Sequence, residues 1–302
     1  MAMNILSVRE RLNRFTPLRY PGGKAKLASY VKMVMKSNHL TDGQYVEPYA
    51  GGAGVALELL FHEHVTRIHI NDVSIPIYSF WKSVLDDVEC LSRLIHNTPC
   101  NVDIWDRQKS IIKNARNHSF LEIGFATFFL NRTNRSGILN GGIIGGRDQS
   151  GPWKIDARYN TRQLISRIQA INDLKERVHL TNQDAMEFLC RGVEHWPRKT
   201  LIYCDPPYYN KGKDLYYDFY SHEDHLKIAN FVQSGITSQS WIVSYDNIDS
   251  IREMYKLSNS ITYSISYSAR FAKQGAEIMF FKPGLIIPHM KEQNEPVNQT
   301  LL

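Results

Sequence analysis

An acid, two prolines and a tyrosine follow directly on a short apolar run, in the order Asp205-Pro206-Pro207-Tyr208 after residues 201–204. Such a run, stopped by prolines, predicts a buried strand that leads into a rigid loop. The loop would present a carboxylate, a proline carbonyl and an aromatic ring at the carboxyl end of a strand, where open α/β sheets bind ligands. Two acceptors and a ring suit an exocyclic amine on a flat base, because acceptors that hold the amine hydrogens favour its nucleophilic form. The alternative is a tight strand exit with an incidental aspartate.

A glycine turn between a predicted strand and a predicted helix gives a second chemical signal. Residues 45–47 predict the strand, and the turn at residues 50–54 lets a ligand approach the backbone. The spacing differs from the Gly-x-Gly-x-x-Gly of dinucleotide enzymes. Glu47 would repel a pyrophosphate and attract an ammonium or sulfonium, which favours S-adenosylmethionine over NAD. A packed glycine turn without a ligand is the alternative.

Two further features would serve a nucleotide. Residues 67–72 predict a second strand, and Asp72 at its end lies about 20 residues beyond the glycine turn, where an acid suits ribose hydroxyls. Near the N-terminus, Gly22-Gly23-Lys24 precedes a helical pattern, so a lysine and unpaired backbone N–H groups would meet an anionic group. This glycine-lysine turn is a weak signal alone, because no Walker pattern surrounds it.

Positive charge is concentrated in one part of the chain. The segment from Arg107 to Asn160 contains nine lysines and arginines against three acids, which equals the whole net charge of +6. A localised basic surface indicates a polyanion partner. Residues 131–137 carry arginine and asparagine, the side chains that read guanine and adenine edges in a major groove. We expect this segment, with its glycine-rich continuation as a hairpin or a ligand-ordered loop, to contact DNA; a flexible surface loop is the alternative.

Strands and helices alternate around these motifs, except in the middle of the chain. Between residues 75 and 160 helical stretches such as 121–130 replace the α/β pattern, which resumes with a helix over 164–171. Ser221 and Asp224 form a capping-box-like start for a later helix. Further strands are predicted at residues 178–184, 241–247, 261–268 and 277–282, the last two as an antiparallel pair.

Composition excludes several classes of protein. Hydrophobic residues make up 43% of the chain, yet no apolar stretch approaches the roughly 20 residues of a membrane span. The four cysteines form no Cys-x-x-Cys pair, and the polar N-terminus does not resemble a signal peptide. We therefore expect a reduced, cytoplasmic protein without membrane contact. No metal is expected either, because His62-Glu63-His64 is not His-Glu-x-x-His.

Taken in order, five motifs resemble those of the Dam-type adenine DNA methyltransferases. They are residues 19–24 (Arg-Tyr-Pro-Gly-Gly-Lys), 47–52 (Glu-Pro-Tyr-Ala-Gly-Gly), 71–72 (Asn-Asp), 182–184 (Asn-Gln-Asp) and 205–208 (Asp-Pro-Pro-Tyr). Asn131-Arg132-Thr133 and Gly145-Gly146 also match, so the resemblance runs from about residue 17 to residue 283. Cofactor motifs come first, a recognition insertion next and Asp-Pro-Pro-Tyr last, which is the alpha arrangement of these enzymes.

The resemblance implies both a fold and a reaction. The fold is α/β, a Rossmann-like class I methyltransferase with a seven-stranded, mostly parallel sheet and an inserted, mainly helical target-recognition domain. Residues 1–75 and 161–302 would form the catalytic domain, and residues 76–160 the insertion. The reaction is site-specific transfer of a methyl group from S-adenosyl-L-methionine to N6 of a flipped adenine in double-stranded DNA.

The resemblance also implies two groups of site residues, and the basic segment predicts a third. The catalytic group consists of Asp205, Pro206, Pro207 and Tyr208. Asp205 and the Pro206 carbonyl would accept hydrogen bonds from the target amine, and Tyr208 would stack on the base. The cofactor would be contacted by Tyr20, Lys24, Glu47, Tyr49, Gly51, Gly52, Asp72, Asp184 and Asp205. Among these, Glu47 and the glycines would lie near its methionine end, Asp72 at the ribose and Asp184 at the adenine amine. DNA would be contacted by Arg132, Asn134, Arg135, Arg147 and Lys154.

The chain departs from the family pattern in two places. Tyr20-Pro21 stands where many relatives have Trp-Ala, and the recognition insertion differs most, so no target sequence carries over. The nearest alternative activity is cytosine-N4 methylation, although those enzymes more often carry Ser in place of Asp205. A catalytically silent DNA-binding module is the other alternative. The oligomeric state stays open, and a monomer is compatible with the sequence.

Overall fold

The computed structural model describes residues 15–19, 27–209, 220–266 and 274–290. Within these residues the strands are β1 Gly43–Glu47, β2 Val65–Asn71, β3 Val178–Thr181, β4 Thr200–Cys204, β5 Ser240–Asp246, β6 Asn259–Ser266 and β7 Gln274–Phe281. They form one seven-stranded sheet in the order β3-β2-β1-β4-β5-β7-β6. The pairs from β3 across to β5 are parallel, and β7 runs antiparallel between β5 and β6.

The α-helices of the described chain are α1 Ala28–Ser37, α2 Gly54–Phe61, α3 Ile75–Asp86, α4 Val88–Asn97, α5 Val102–Lys113, α6 Phe120–Thr133, α7 Thr161–Asn172, α8 Ala185–Gly192, α9 His222–Asn230 and α10 Asp249–Met254. Capping boxes start α6 at Ser119 and α9 at Ser221, the second as predicted. A short π-helix, Phe231–Gly235, continues α9. No helix in the described part of the chain combines the length and apolarity needed to cross a bilayer.

The central strands are buried because layers of helices cover the sheet. All five residues of β4 are buried, and so are the inner residues of β5, as expected for parallel strands with two covered faces. The antiparallel β6–β7 pair closes one edge, as the alternating sequence predicted. A seven-stranded, mostly parallel sheet with flanking helices confirms the predicted α/β, Rossmann-like fold.

The chain reverses its direction across the sheet between β1 and β4. From β1 it proceeds outward to β2 and β3, whereas from β4 it proceeds to β5 on the opposite side. The loops that leave β1 and β4 therefore diverge, and the crevice between them is where open α/β sheets bind ligands. Glu47 ends β1 and Asp205 follows β4, so both candidate acids lie at this crevice.

The residues between α3 and α7 are mainly helical, and they share a core with the rest of the fold. Phe80 and Trp81 of α3 and Phe128 of α6 are buried in the same hydrophobic cluster as Leu57 of α2. The boundaries predicted for an inserted recognition domain, residues 76–160, stay a prediction. After α6 the chain forms a hairpin-like turn, residues 134–143, closed by an antiparallel bridge between its two ends.

Candidate active site

The carboxylate of Asp205 is fixed by a chain of two hydroxyls. Ser244 on the neighbouring strand β5 donates from Oγ to Asp205 Oδ1 at 2.7 Å, and the Tyr203 hydroxyl lies 2.8 Å from Ser244 Oγ. Because the serine gives its one hydrogen to the carboxylate, Tyr203 must donate to Ser244. Ser244 and Tyr203 are both buried, so their two hydrogen-bonded hydroxyls hold Asp205 in one orientation at the end of β4.

The loop that follows Asp205 is anchored at both ends. Pro206 and Pro207 fix their own φ and donate no backbone hydrogen, which stiffens the segment. At its far end the backbone N–H of Tyr209 donates to Asp246 Oδ1 at 3.2 Å, at the carboxyl end of β5. The loop thus lies across the ends of two adjacent parallel strands, and its acid and its tyrosine are held at one sheet edge.

Tyr208 is held by its hydroxyl. It is 7% exposed and donates to Glu277 Oε1 at 2.8 Å. The Tyr263 hydroxyl donates to the other oxygen of the same carboxylate, Oε2, at 2.9 Å. With so little of the Tyr208 ring exposed, stacking on a base requires the surroundings of the ring to open first.

Glu47 is a buried acid with a raised pKa. Its Oε1 accepts from the Tyr45 hydroxyl at 3.0 Å and from the Ala56 N–H at 3.1 Å. Burial raises the pKa of Glu47 to about 8, although these two hydrogen bonds oppose the rise and the charge of nearby Asp205 adds to it. Both bonds go to Oε1, so within the described residues Oε2 is left to meet a ligand. An ammonium or sulfonium there would favour the carboxylate form.

Asp72 ties the glycine turn to β2. Its Oδ2 accepts from the Gly51 N–H at 2.8 Å and its Oδ1 from the Ser74 N–H at 3.0 Å. The Gly51 carbonyl in turn accepts from the Trp81 indole N–H at 2.9 Å. Gly51 has a φ of +46°, a left-handed conformation that favours glycine. The carbonyl of the next residue, Gly52, accepts from Thr16 Oγ1 at 2.5 Å, so side chains from three parts of the chain fix this turn.

The remaining predicted cofactor residues fall at the rim of the crevice or outside the described residues. Asp184 is exposed at the N-cap of α8, where its Oδ1 accepts from Met186 N–H at 2.9 Å. The Tyr49 hydroxyl lies 3.1 Å from the Tyr220 hydroxyl, and burial raises the pKa of Tyr49 well above its usual value. Tyr20 and Lys24 lie outside the described residues.

Two neighbouring residues of the predicted DNA-contacting set have different environments. Asn134 is 0% exposed: its Oδ1 accepts from the Trp105 indole N–H at 2.6 Å, and its Nδ2 donates to the carbonyls of Ile138 and Leu139 at 2.8 and 3.0 Å. These bonds close the turn formed by residues 134–143. Arg135, the next residue, is exposed.

The other predicted DNA-contacting residues are also divided. Arg132 is half-buried and donates from Nε to the Arg158 carbonyl at 2.6 Å; burial and then neighbouring arginines lower its pKa to about 9. Arg147 is exposed and makes a two-pronged ion pair with Asp106, at 2.8 and 2.7 Å. Lys154 is exposed and donates to the Gln149 carbonyl at 2.6 Å. The DNA contacts of this group stay predictions.

Several residues organise the site in a way that the sequence did not predict. Ser244 and Glu277 hold the acid and the tyrosine of the Asp-Pro-Pro-Tyr motif. Asn131 exchanges two hydrogen bonds of 2.7 Å with the backbone of Arg19, the residue before Tyr20. A buried serine inside an apolar strand and an acid directly before an apolar run are the available signals, but both need the strand pairing to be interpreted.

Comparison with known families agrees with this geometry. The family model of the D12 class N6 adenine-specific DNA methyltransferases matches residues 20–268, which include the glycine turn, the helical segment and the Asp-Pro-Pro-Tyr motif. No curated protein matches the chain. Within the described residues no group of three or more metal-ligating side chains lies together. The resemblance, the enzyme class and adenine-N6 methylation of DNA with S-adenosyl-L-methionine as donor are therefore confirmed: the chain belongs to the D12 class N6 adenine-specific DNA methyltransferase family.

Proposed function

We propose that the crevice between β1 and β4 receives one adenine extruded from duplex DNA and methylates it at a specific sequence. Asp205 and the carbonyl of Pro206 accept from the N6 amine, and Tyr208 stacks on the base. The observation that supports this most directly is the Ser244–Asp205 hydrogen bond of 2.7 Å, which holds a carboxylate at the sheet edge where Glu47 also lies. Extruding the base costs roughly a few kcal/mol of stacking and pairing energy.

The residues of the crevice fit S-adenosyl-L-methionine. Glu47 is a buried acid with one oxygen left for a cation, and the glycine turn beside it brings backbone within reach of a ligand. We assign the methionine end to Glu47, Gly51 and Gly52, the ribose to Asp72 and the adenine amine to Asp184. Two oxygens of Asp72 already accept backbone N–H groups, so it would contact a ribose while keeping the turn in place.

The chemistry needs positioning more than activation. S-adenosyl-L-methionine supplies a methyl group that its sulfonium already makes electrophilic, so the proposed reaction requires neither a metal nor a covalent nucleophile. Asp205 and the Pro206 carbonyl hold the two amine hydrogens and direct the nitrogen lone pair toward the donor. A strong base is unnecessary, because the amine becomes acidic once it is methylated and then loses its proton. Most of the rate enhancement is therefore orientation and electrostatic stabilisation.

The proposed DNA surface is the exposed part of the basic segment. Arg135 lies at the start of the 134–143 turn, and Arg147 and Lys154 lie on the loop beyond it, all three exposed. Such side chains contact phosphates or base edges, whereas Asn134 and Arg132 use their polar atoms to shape the turn and its support. With DNA as substrate we also propose a cytoplasmic, nucleoid-associated location, and a monomer suffices for this site.

Substitution of the central acid tests the proposal. Asp205→Ala should lower the single-turnover rate of methyl transfer by about 10²- to 10³-fold, because the amine loses its ionic acceptor, and should leave cofactor affinity within about threefold. The control is Glu253→Ala, an exposed acid of α10 paired with Lys256. The assay is transfer of label from S-adenosyl-L-methionine to unmethylated DNA, followed by nuclease digestion and identification of the modified base.

The outcomes separate the alternatives. Formation of N6-methyladenine at one sequence, and its loss in Asp205→Ala, supports the proposal. Formation of N4-methylcytosine would show that the target base is cytosine. If the unsubstituted protein binds DNA tightly but transfers no methyl group, the protein is a catalytically silent DNA-binding module. Unchanged turnover of Asp205→Ala would show that another group accepts the amine. Sequencing of single DNA molecules from a methylation-free host that expresses the chain then gives the recognition site.

A further inference from the structure

Glu277 is a buried carboxylate that two tyrosines share. It is 1% exposed, and each of its oxygens accepts one tyrosine hydroxyl: Oε1 that of Tyr208 at 2.8 Å and Oε2 that of Tyr263 at 2.9 Å. A buried carboxylate is therefore held firmly by these bonds, and in turn it fixes the rings that donate them.

The sheet topology explains how an acid from the last strand reaches the motif. Since β7 is antiparallel, its first residues lie at the carboxyl edge of the parallel strands, and Glu277 pairs in register with Asp246 at the end of β5. Asp246 also accepts the N–H of Tyr209, directly after Tyr208. Neighbouring residues at the ends of β5 and β7 thus hold the backbone directly after Tyr208 and the Tyr208 hydroxyl.

We propose that Glu277 is a positioning residue for methyl transfer, which fixes the Tyr208 ring in the plane on which the target adenine stacks. The assignment rests on the proposed stacking role of Tyr208. With the hydroxyl tethered, the ring keeps its rotamer when its surroundings open, so the base meets a preformed surface. Tyr263 braces the opposite oxygen of Glu277 and acts only through it.

A double-mutant cycle tests this assignment. Tyr208→Phe removes the tethered hydroxyl and keeps the ring, and Glu277→Leu removes the acceptor. Each should slow single-turnover transfer by about tenfold, and the double variant should also be slowed about tenfold, not a hundredfold, because both changes break the same contact. Dissociation constants for DNA and cofactor should stay within about threefold, so the loss falls on the chemical step.

Matched variants separate positioning from general stability. Tyr263→Phe removes the other hydroxyl bound to Glu277 and should change the single-turnover rate by no more than about threefold. Glu277→Gln keeps an oxygen acceptor and should recover most of the rate lost in Glu277→Leu. If the leucine variant does not fold, the cycle is measured with Glu277→Gln instead. The smaller loss of rate in that variant should then disappear when Tyr208 is already phenylalanine. Thermal unfolding of every variant shows whether rate follows stability.

The results distinguish this inference from the proposed function. Tyr208→Ala, which removes the ring, should abolish most transfer if the ring stacks on the base. An active Tyr208→Ala would refute the stacking role itself. Two results would refute only the positioning role of Glu277, provided that Tyr208→Ala is inactive. One is a double variant in which the two rate losses multiply, and the other is full activity of Glu277→Leu.

Discussion

Glu47 should couple cofactor binding to the release of a proton. Burial raises the pKa of its carboxyl to about 8 from the usual 4.5, so at pH 6.5 the acid is mostly protonated in the unliganded protein. This difference amounts to a penalty of about 5 kcal/mol on the ionised form. The contribution of Glu47 to the free energy of unfolding is therefore most favourable below pH 4.5, where the acid is protonated in the folded and the unfolded chain. It is lost as the pH rises through about 8.

A bound cation reverses that preference. An ammonium or sulfonium beside Glu47 Oε2 favours the carboxylate, so binding at pH 6.5 expels the proton. If the bound form is fully ionised, cofactor affinity should rise about tenfold per pH unit up to about pH 8. Titration calorimetry at pH 6.5, in buffers of different ionisation enthalpy, should detect close to one proton released per cofactor bound.

The control is Glu47→Gln, which keeps the shape of the side chain and its acceptor for Tyr45. The cofactor's own amino group is expected to titrate near pH 8, like other α-amino groups, so the difference between the two proteins is the informative quantity. Glu47→Gln should bind more weakly above pH 8 and lose about one unit of slope below it. Equal proton release by both proteins would refute a contact between Glu47 and the cationic end of the cofactor.

Other substitutions test how the site is built. Ser244→Ala should lower the free energy of unfolding by about 1–3 kcal/mol and slow single-turnover transfer about tenfold, because Asp205 loses its orienting donor; chemical denaturation and rapid-quench assays measure the two effects. Gly137→Ala should lower the thermal midpoint and cofactor affinity together, since Gly137 has a φ of +77° and an added Cβ would lie 2.3 Å from a backbone oxygen of the N-terminal motif. Arg135→Ala should weaken DNA binding and reduce its salt dependence without changing the thermal midpoint, whereas Asn134→Ala should lower the thermal midpoint. If binding and unfolding assays give the reverse pattern, Asn134 contacts the DNA and Arg135 stabilises the turn.

The position of the Asp-Pro-Pro-Tyr motif followed from the sequence because local rules place it. A buried apolar run that ends in Asp-Pro-Pro becomes β4, and an apolar run that ends in Glu47 becomes β1, so both acids come to the carboxyl edge of one sheet. The antiparallel β6–β7 pair was also predictable from its pattern. These features depend on periodicity and on proline and glycine chemistry, which a single sequence contains.

The side chains that hold Asp205 and Tyr208 were not predictable in the same way. Ser244 and Glu277 lie 39 and 69 residues from the motif residues that they hold. The β4–β5 register brings Ser244 beside Asp205, and the β5–β7 register brings Glu277 to the same edge of the sheet. Residue type also does not distinguish Asn134 from Arg135. An asparagine next to an arginine suits base recognition, yet carbonyls of the following turn lie close enough to bind the Asn134 amide internally.

The same turn connects helix α6 to the N-terminal motif. Asn131 at the end of α6 binds both the N–H and the carbonyl of Arg19, and Gly137 in the turn leaves no room for a side chain against that carbonyl. A displacement of the turn must therefore move Arg19 or break these contacts. Arg19 is the first residue of the N-terminal motif, residues 19–24, while Arg135 lies in the turn. In the proposed function, DNA at Arg135 and a cofactor at the N-terminal motif would act on one connected piece of backbone, so we expect Gly137→Ala to affect the binding of both.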